Sequence, residues 1–158
     1  MNIKIELISE SDLADESFNI VIDGLKPREI YRVEMFLSDY YCINAPMLLA
    51  HDILWKSTAT FVSDKNGIID ISQTPSCSGS YEDIATMGLF FNAKPLTNRK
   101  KKLPNSLSKI PLLDHFFVDI KIMQGNTVIA ERTFTRHYMS SQISHKDIYG
   151  KHFQGRLF

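Results

Sequence analysis

Residues Trp55 to Pro95 decide the fold, and they read WKSTATFVSDKNGIIDISQTPSCSGSYEDIATMGLFFNAKP. The segment 55–62 alternates between two sides of an extended chain, and the sequence Asp-Lys-Asn-Gly then turns it back into the apolar run 68–71. A period of two, an Asn-Gly turn and β-branched residues are typical of antiparallel β-sheet. Large and small side chains share one side of the first strand, as on the inward face of a packed sheet: Trp55, Ser57, Ala59 and Phe61. We therefore predict that Trp55 anchors the core.

Alternating or apolar runs elsewhere in the chain predict further strands, at residues 3–7, 18–22, 30–37, 116–123 and 128–134. The last two runs flank a turn in which Gly125 supplies the positive φ that a two-residue hairpin loop needs. The segment 40–54 is open between a loop and a short helix, 92–113 is predicted to be a long loop, and the tail from Arg136 has weak periodicity. The pattern predicts an all-β sandwich of about seven antiparallel strands.

Length and composition limit the functional classes. A chain of 158 residues suits one domain, residues 1–158, and is too short for a sandwich followed by a catalytic domain. Zero net charge and a pI near 7 give no global field for nucleic acid or an anionic membrane. The N-terminus does not look like a signal peptide, and no apolar run is long enough to span a membrane. We expect a soluble cytoplasmic protein whose two cysteines, Cys42 and Cys77, are free thiols.

A set of residues in one order resembles the N-terminal domain of the acyl-CoA thioesterase and bile acid-CoA:amino acid N-acyltransferase family: Trp55-x-Ser57-x-Ala59-x-Phe61, Asp64, Gly67, Asp70, Gly79-Ser80-Tyr81 and Met87-Gly88-Leu89. Gly24-Leu25-Lys26-Pro27 and Gly155-Arg156-Leu157-Phe158 extend the similarity to about residues 16–158. The resemblance implies an immunoglobulin-like sandwich that packs on an α/β-hydrolase domain of the same polypeptide and helps to form the acyl-CoA cleft. That catalytic domain would follow residue 158.

No catalytic, cofactor-binding or metal site is predicted in this chain. The Gly-x-Ser-x-Gly turn of a hydrolase nucleophile is missing, and the nearest segment, Pro75–Ser80, has a glycine on one side only. Cys77 is therefore interpreted as a loop thiol or a small buried residue. His145 and His152 are too widely spaced for a typical zinc pair, and His137 is interpreted as a surface or interface residue. The resemblance implies that this loop is structural and that its Gly-Ser-Tyr sequence allows a tight backbone path.

Two further features have alternative interpretations. The basic run Arg99–Lys102 is either a contact for the phosphates of coenzyme A or a solvated loop. The aromatic pairs Tyr40-Tyr41 and Phe90-Phe91 are the candidates for an exposed binding surface if the chain is a stand-alone, non-enzymatic module for protein or carbohydrate. If the chain instead docks on a hydrolase domain, we expect an exposed apolar patch and weak self-association, through residues such as Leu89 and Phe153 in the segments 80–91 and 137–158.

Overall fold

The computed structural model describes residues 2–38, 40, 54–96, 114–152 and 154–157. Its elements, in chain order, are β1 (Lys4–Ile8), β2 (Asn19–Asp23), β3 (Ile30–Ser38), β4 (Trp55–Val62), β5 (Ile69–Asp70), β6 (Ser78–Gly79), α1 (Gly88–Phe91), β7 (Lys94–Pro95), β8 (His115–Gln124), β9 (Thr127–His137), β10 (Lys146–Tyr149) and β11 (Gln154–Leu157). Several sequence-based predictions fall outside the described residues: Tyr41, Cys42, most of the possible helix in 40–54, the basic run Arg99–Lys102, Phe153 and most of the loop 92–113.

Two antiparallel sheets enclose the core, so the predicted β-sandwich is confirmed. One sheet has the order β1-β2-β5, and the other has the order β6-β4-β3-β8-β9, with β7 paired to β4 beside β6. The alternation in the sequence explains the core, because the inward positions of each strand are the apolar ones. Trp55 is only 9% exposed and belongs to this core, as predicted. β10 and β11 form a separate two-stranded ribbon that the sequence did not predict.

The segment from Trp55 to Pro95 links the two sheets. β4 lies in the larger sheet, whereas β5 pairs with β2 in the smaller one, so the turn between them is a crossover and not a hairpin. Gly67 in this turn has φ +79°, and a Cβ there would lie 2.0 Å from the Leu25 carbonyl oxygen, so only glycine fits. Asp64 Oδ1 accepts hydrogen bonds from the Asn66 and Ile68 backbone N–H groups, each at 2.8 Å. The crossover turn is thus fixed by the close approach of Gly67 to the Leu25 backbone and by the Asp64 carboxylate.

The predicted hairpin is confirmed and is longer than the sequence indicated. β8 and β9 meet at the two-residue loop Gly125-Asn126, where Gly125 has φ +60°. β9 continues to His137 instead of ending near Phe134, so Arg136 belongs to the strand and not to the tail. Its side chain is buried at 1% exposure, and alternation places it on the core side of the sheet. A buried arginine breaks the apolar pattern, which is why the sequence predicted too early an end.

The outward faces of both sheets carry mostly polar and charged side chains, with exposed apolar residues at Ile8, Ile30 and Val62. On the larger sheet, the Glu34 carboxylate accepts from Arg32 Nε at 3.1 Å and lies 3.0 Å from Lys56 Nζ. The Lys56 and Lys121 ammonium groups lie over the Phe36 ring, at 4.9 and 5.7 Å from its centroid. The charged groups of Glu34, Lys56 and Lys121 therefore have partners on the same face of the sheet. No helix among the described residues is long and apolar enough to cross a membrane.

Asp70 on the outward side of β5 gives the fold a predicted pH dependence. Burial tends to raise its pKa, but hydrogen bonds from the Ser72 and Asn19 side chains and the Ser72 backbone N–H outweigh burial and lower the pKa overall. A carboxylate whose pKa is lower in the folded state than its unfolded value of about 3.9 stabilises the fold above that pH. This contribution is lost as the pH falls through the lower, folded-state pKa.

We expect Asp70→Asn to destabilise the protein at pH 7 and to lose that effect in acid. Urea denaturation of the parent and the variant at pH 7, 5 and 3 tests this, because the difference between their unfolding free energies should shrink at the lowest pH. A difference that stayed constant across the series would show that the Asp70 charge does not contribute.

Candidate docking surface

The segment Pro75–Ser80, whose sequence is the nearest in this chain to a hydrolase nucleophile turn, is a structural loop. Cys77 is a free, exposed thiol, and its backbone N–H donates to the Thr60 carbonyl at 2.8 Å. The hydroxyl of the neighbouring Ser76 donates to the carbonyls of Ser78 and Tyr81, each at 3.0 Å. Within the described part of the chain, no hydrogen bond or ion pair joins the Cys77 thiol to an imidazole or a carboxylate. The geometry supports the loop interpretation of Cys77.

Two glycines of this region are required by close packing. Gly79 has φ +127°, and a Cβ there would lie 2.3 Å from the Thr58 carbonyl oxygen. A Cβ on Gly88 would lie 2.5 Å from the Tyr81 ring, so the ring packs directly on the backbone at the start of α1. Burial of the Tyr81 hydroxyl raises its pKa to about 12. The Gly-Ser-Tyr sequence therefore does allow a tight backbone path, with Tyr81 as the side chain that fills it.

An aromatic cluster closes one end of the sandwich, where β3 and β9 end and β4 and β8 begin. Tyr40 lies at its centre, with ring centroids 6.0 Å from Trp55, 5.3 Å from Phe90 and 5.0 Å from Phe116. The Tyr138 ring adds to the cluster at 5.3 Å from Phe116. Edge-to-face aromatic contacts of this kind stabilise a core beyond the area they bury. The cluster joins α1, the sheet and the start of the tail.

Apolar side chains are exposed at this same end, which we call the apolar end. Phe91, next to Phe90 in α1, is 76% exposed, and Leu54 and Leu96 are exposed where β4 begins and β7 ends. The Leu96 N–H donates to the Leu54 carbonyl at 2.9 Å, so these two residues are neighbours. Four further apolar residues are exposed in the tail: Ile143, Ile148, Tyr149 and Leu157. Because the exposed Phe91 ring adjoins the aromatic cluster, this end is the candidate docking surface.

The expected contact residue Leu89 and the expected aromatic binding surface both need correction. Leu89 is 1% exposed and belongs to the core, because the short helix α1 turns it inward and presents Phe91 to solvent instead. Of the aromatic pairs that were candidates for a binding surface, Tyr40 and Phe90 are partly buried, because they pack in the cluster. Phe91 is the member of these pairs that the structure leaves exposed among the residues it describes. Sequence could not distinguish it from Phe90.

A cavity of about 290 Å³ lies beside the apolar end, between the sandwich and the tail. Its walls come from the loop before β2, the start of β8, the end of β9 and the first residues of the tail: Asp12, Asp114, His137, Met139, Ser140, Ser141, Ile143 and His145. His137 is a half-exposed wall residue, in line with its interpretation as a surface group. None of the described His, Cys, Asp and Glu residues cluster in a way that could hold a metal ion.

The model of a known protein family, described as the acyl-CoA thioester hydrolase/BAAT N-terminal region, matches residues 15–149. The chain belongs to this family. The match covers both sheets from β2 onwards and ends at the last residue of β10. The resemblance drawn from residues 55–89 is therefore confirmed.

Relatives of this acyl-CoA thioester hydrolase/BAAT N-terminal region occur in mouse (Mus musculus). The chain is 30% identical over 95 residues to acyl-coenzyme A amino acid N-acyltransferase 1, covering 60% of this chain and 20% of that protein. It is 24% identical over 160 residues to bile acid-CoA:amino acid N-acyltransferase, covering 98% of this chain and 36% of that protein. It is 23% identical over 137 residues to acyl-coenzyme A thioesterase 6, covering 80% of this chain and 28% of that protein. The chain thus spans between 20% and 36% of the length of these relatives.

Proposed function

We propose that this chain is the N-terminal β-sandwich domain of an acyl-CoA thioesterase or acyl-CoA:amino acid N-acyltransferase. In this proposal it packs on an α/β-hydrolase domain and helps to form the acyl-CoA cleft. The observation that carries the proposal is the family match over residues 15–149, together with relatives of which the chain spans only 20% to 36%. The exposed free thiol of Cys77 favours a reducing compartment, and we place the protein in the cytoplasm.

The chemistry would belong to the hydrolase domain. A Ser or Cys nucleophile there, activated by a histidine, attacks the thioester carbonyl and releases coenzyme A; water then gives a free acid, or an amine gives an amide. The contribution of this chain would be steric and electrostatic: a rigid wall that excludes water and positions the acyl-CoA. A sandwich with a packed core suits that role, because close-packed interiors are rigid.

The apolar end is the part of the described surface that best suits docking on such a domain. Interfaces between domains of one chain bury roughly 600–1,500 Å² and mix apolar with polar groups. Exposed Phe91 with Leu54 and Leu96 would supply the apolar centre, and the tail would supply a flank of mixed character. By contrast, Glu34, Lys56 and their neighbours already pair within the outward face of the larger sheet.

The experiment that tests the proposal starts from the gene. The reading frame downstream of the codon for Phe158 should continue into a hydrolase domain, and the longer protein should hydrolyse or transfer acyl-CoA thioesters. We expect the 158-residue chain alone to show no turnover of short- or long-chain acyl-CoA, since the nucleophile and its base would lie in the other domain. Turnover by the chain alone that disappeared in Cys77→Ala would contradict the proposal.

In the longer protein, Phe91→Asp should weaken the contact between the domains, because it places a charge at the apolar centre. The matched control is Ile8→Asp, an equally apolar substitution site that is exposed on the smaller sheet. Limited proteolysis between the domains should be faster in Phe91→Asp than in the parent or the control. Equal rates in all three proteins would place the docking surface elsewhere.

One observation favours a second function. Phe91 is a solvent-exposed aromatic residue beside an aromatic cluster, which also suits a stand-alone binding module for protein or carbohydrate. A stop codon directly after Phe158 would select this alternative.

A further inference from the structure

The lateral edges of the two sheets differ in how well they are covered. In the smaller sheet, β5 is only two residues long, and Ile5 in β1 is 3% exposed, with its carbonyl oxygen bound by Arg132 Nη1 at 2.6 Å. In the larger sheet, the short strands β6 and β7 cover β4. Among the described residues the remaining edge is β9, which is 11 residues long. A long edge strand offers its backbone N–H and C=O groups to another strand unless something covers them.

The direction of the backbone groups of β9 follows from His137. Its N–H and C=O bond to the loop 12–14, at 2.8 and 2.7 Å, so both groups point away from β8. Backbone groups alternate along an antiparallel strand, so those of Thr135, Thr133 and Glu131 point the same way. On that side these three residues make no backbone hydrogen bond to any part of the chain that the structure describes, and all three are exposed.

We call residues 131–135 the open edge. One end is limited by the loop 12–14, which pairs with His137, and the other end lies next to the register shift between β8 and β9. β1 contacts β9 through Arg132, whose side chain lies on the inward face, so β1 covers the face of the strand and not its edge. The sequence of the open edge, Glu-Arg-Thr-Phe-Thr, contains no proline or glycine and suits a strand. There is room for one more strand of about five residues.

A second copy of this chain fits the open edge in antiparallel orientation. A two-fold axis at Thr133 would pair Glu131 with Thr135 of the other copy, and Arg132 with Phe134 of the other copy. An axis at Glu131 or Arg132 would instead place two like charges directly opposite each other, which destabilises a sheet. The Arg132 guanidinium lies 5.0 Å from the centroid of its own Phe134 ring, and pairing about Thr133 would offer it a second ring. This register uses the whole open edge and leaves the loop 12–14 in place.

We infer that β9 is a self-association edge, at which two copies of this chain pair residues 131–135 in antiparallel orientation about a two-fold axis at Thr133. The pairing joins the larger sheets of the two copies into one continuous sheet. It involves a different surface from the apolar end, and it does not depend on the proposed enzymatic context. A contact of this length buries less than the roughly 1,200 Å² of a stable interface, so we expect a weak dimer with a dissociation constant on the order of 100 μM.

Sedimentation equilibrium of the 158-residue chain, over concentrations on both sides of that value, measures the dimer. Thr133→Lys and Thr133→Glu each place two like charges opposite each other at the axis, so each should raise the dissociation constant roughly fivefold or more. An equimolar mixture of the two variants should restore the dimer, because lysine then faces glutamate. Thr135→Lys should tighten the dimer, because its ammonium would face Glu131 of the other copy.

Two control variants separate this edge from other surfaces. Val62→Lys adds the same charge at an exposed position of β4, and Phe91→Asp places a charge at the apolar end; both should leave the dissociation constant unchanged. Circular dichroism establishes that each variant is folded. A parent that stayed monomeric at ten times the expected dissociation constant would overturn the inference. A mixture of the Thr133 variants that dimerised no better than either alone would also overturn it, and so would association that Phe91→Asp abolished.

Discussion

Replacing Arg136 by alanine is expected to lower the free energy of unfolding by about 3–5 kcal/mol. The two terminal nitrogens of this buried side chain donate to four oxygens of the loop before β2: Ser9 Oγ at 3.0 Å, and the carbonyls of Ser11 at 2.8 Å, Leu13, and Glu16 at 2.7 Å. The guanidinium carbon also lies 5.2 Å from the centroid of the Phe18 ring. Removal of the side chain would leave these carbonyls without their donors and open a cavity beside Phe18.

The matched control is Arg132→Ala on the same strand. Arg132 is exposed and donates to a single carbonyl, that of Ile5, at 2.6 Å, so its loss should cost less than about 1 kcal/mol. Arg136→Lys should remain close to the alanine variant, because one ammonium cannot replace a planar group with two terminal nitrogens. Urea denaturation followed by circular dichroism measures all four proteins. Equal stabilities of the Arg136→Ala and Arg132→Ala variants would show that the loop carbonyls are adequately satisfied by water.

Trp55→Ala is the second substitution with a large expected effect, a loss of about 3–5 kcal/mol, which is a large part of the stability of one domain. The indole is nearly fully buried, it starts β4 opposite Leu37, and its ring contacts Tyr40 in the aromatic cluster. Truncation would create a cavity at the point where the sheet and the cluster meet. The cost therefore includes lost burial and lost aromatic contacts.

Since Trp55 is the single tryptophan of the chain, circular dichroism and not fluorescence should follow unfolding of these variants. Trp55→Phe keeps an aromatic ring at the site and should lose less stability than Trp55→Ala. Thr60→Ala, on the outward side of the same strand, should change stability by less than about 1 kcal/mol. A midpoint of Trp55→Ala close to that of the parent would show that the indole is not a core anchor in solution.

Sequence patterns were most informative where a strand is buried on one side only. The alternation of β4 predicted which residues face the core, and Gly125 predicted the loop between β8 and β9, because both signals come from local geometry. The patterns failed where a tertiary contact overrides local character. Arg136 looked like the start of a tail because its burial depends on loop oxygens that lie 120 to 127 positions away in sequence, namely the Ser9 hydroxyl and the carbonyls of Ser11, Leu13 and Glu16.

The candidate docking surface likewise has features that the sequence predicted and features that only the tertiary structure decided. The residues from Trp55 to Leu89 determined the family and the sandwich, because their order reflects turns and strand faces that are fixed by neighbours in sequence. Only the tertiary structure decided which apolar residues are exposed: α1 buries Leu89, packs Phe90 in the aromatic cluster and leaves Phe91 in solvent. It also brought Asp12, His137 and His145 to one cavity. Exposure and proximity of this kind depend on how distant elements pack, and no local period in the sequence encodes them.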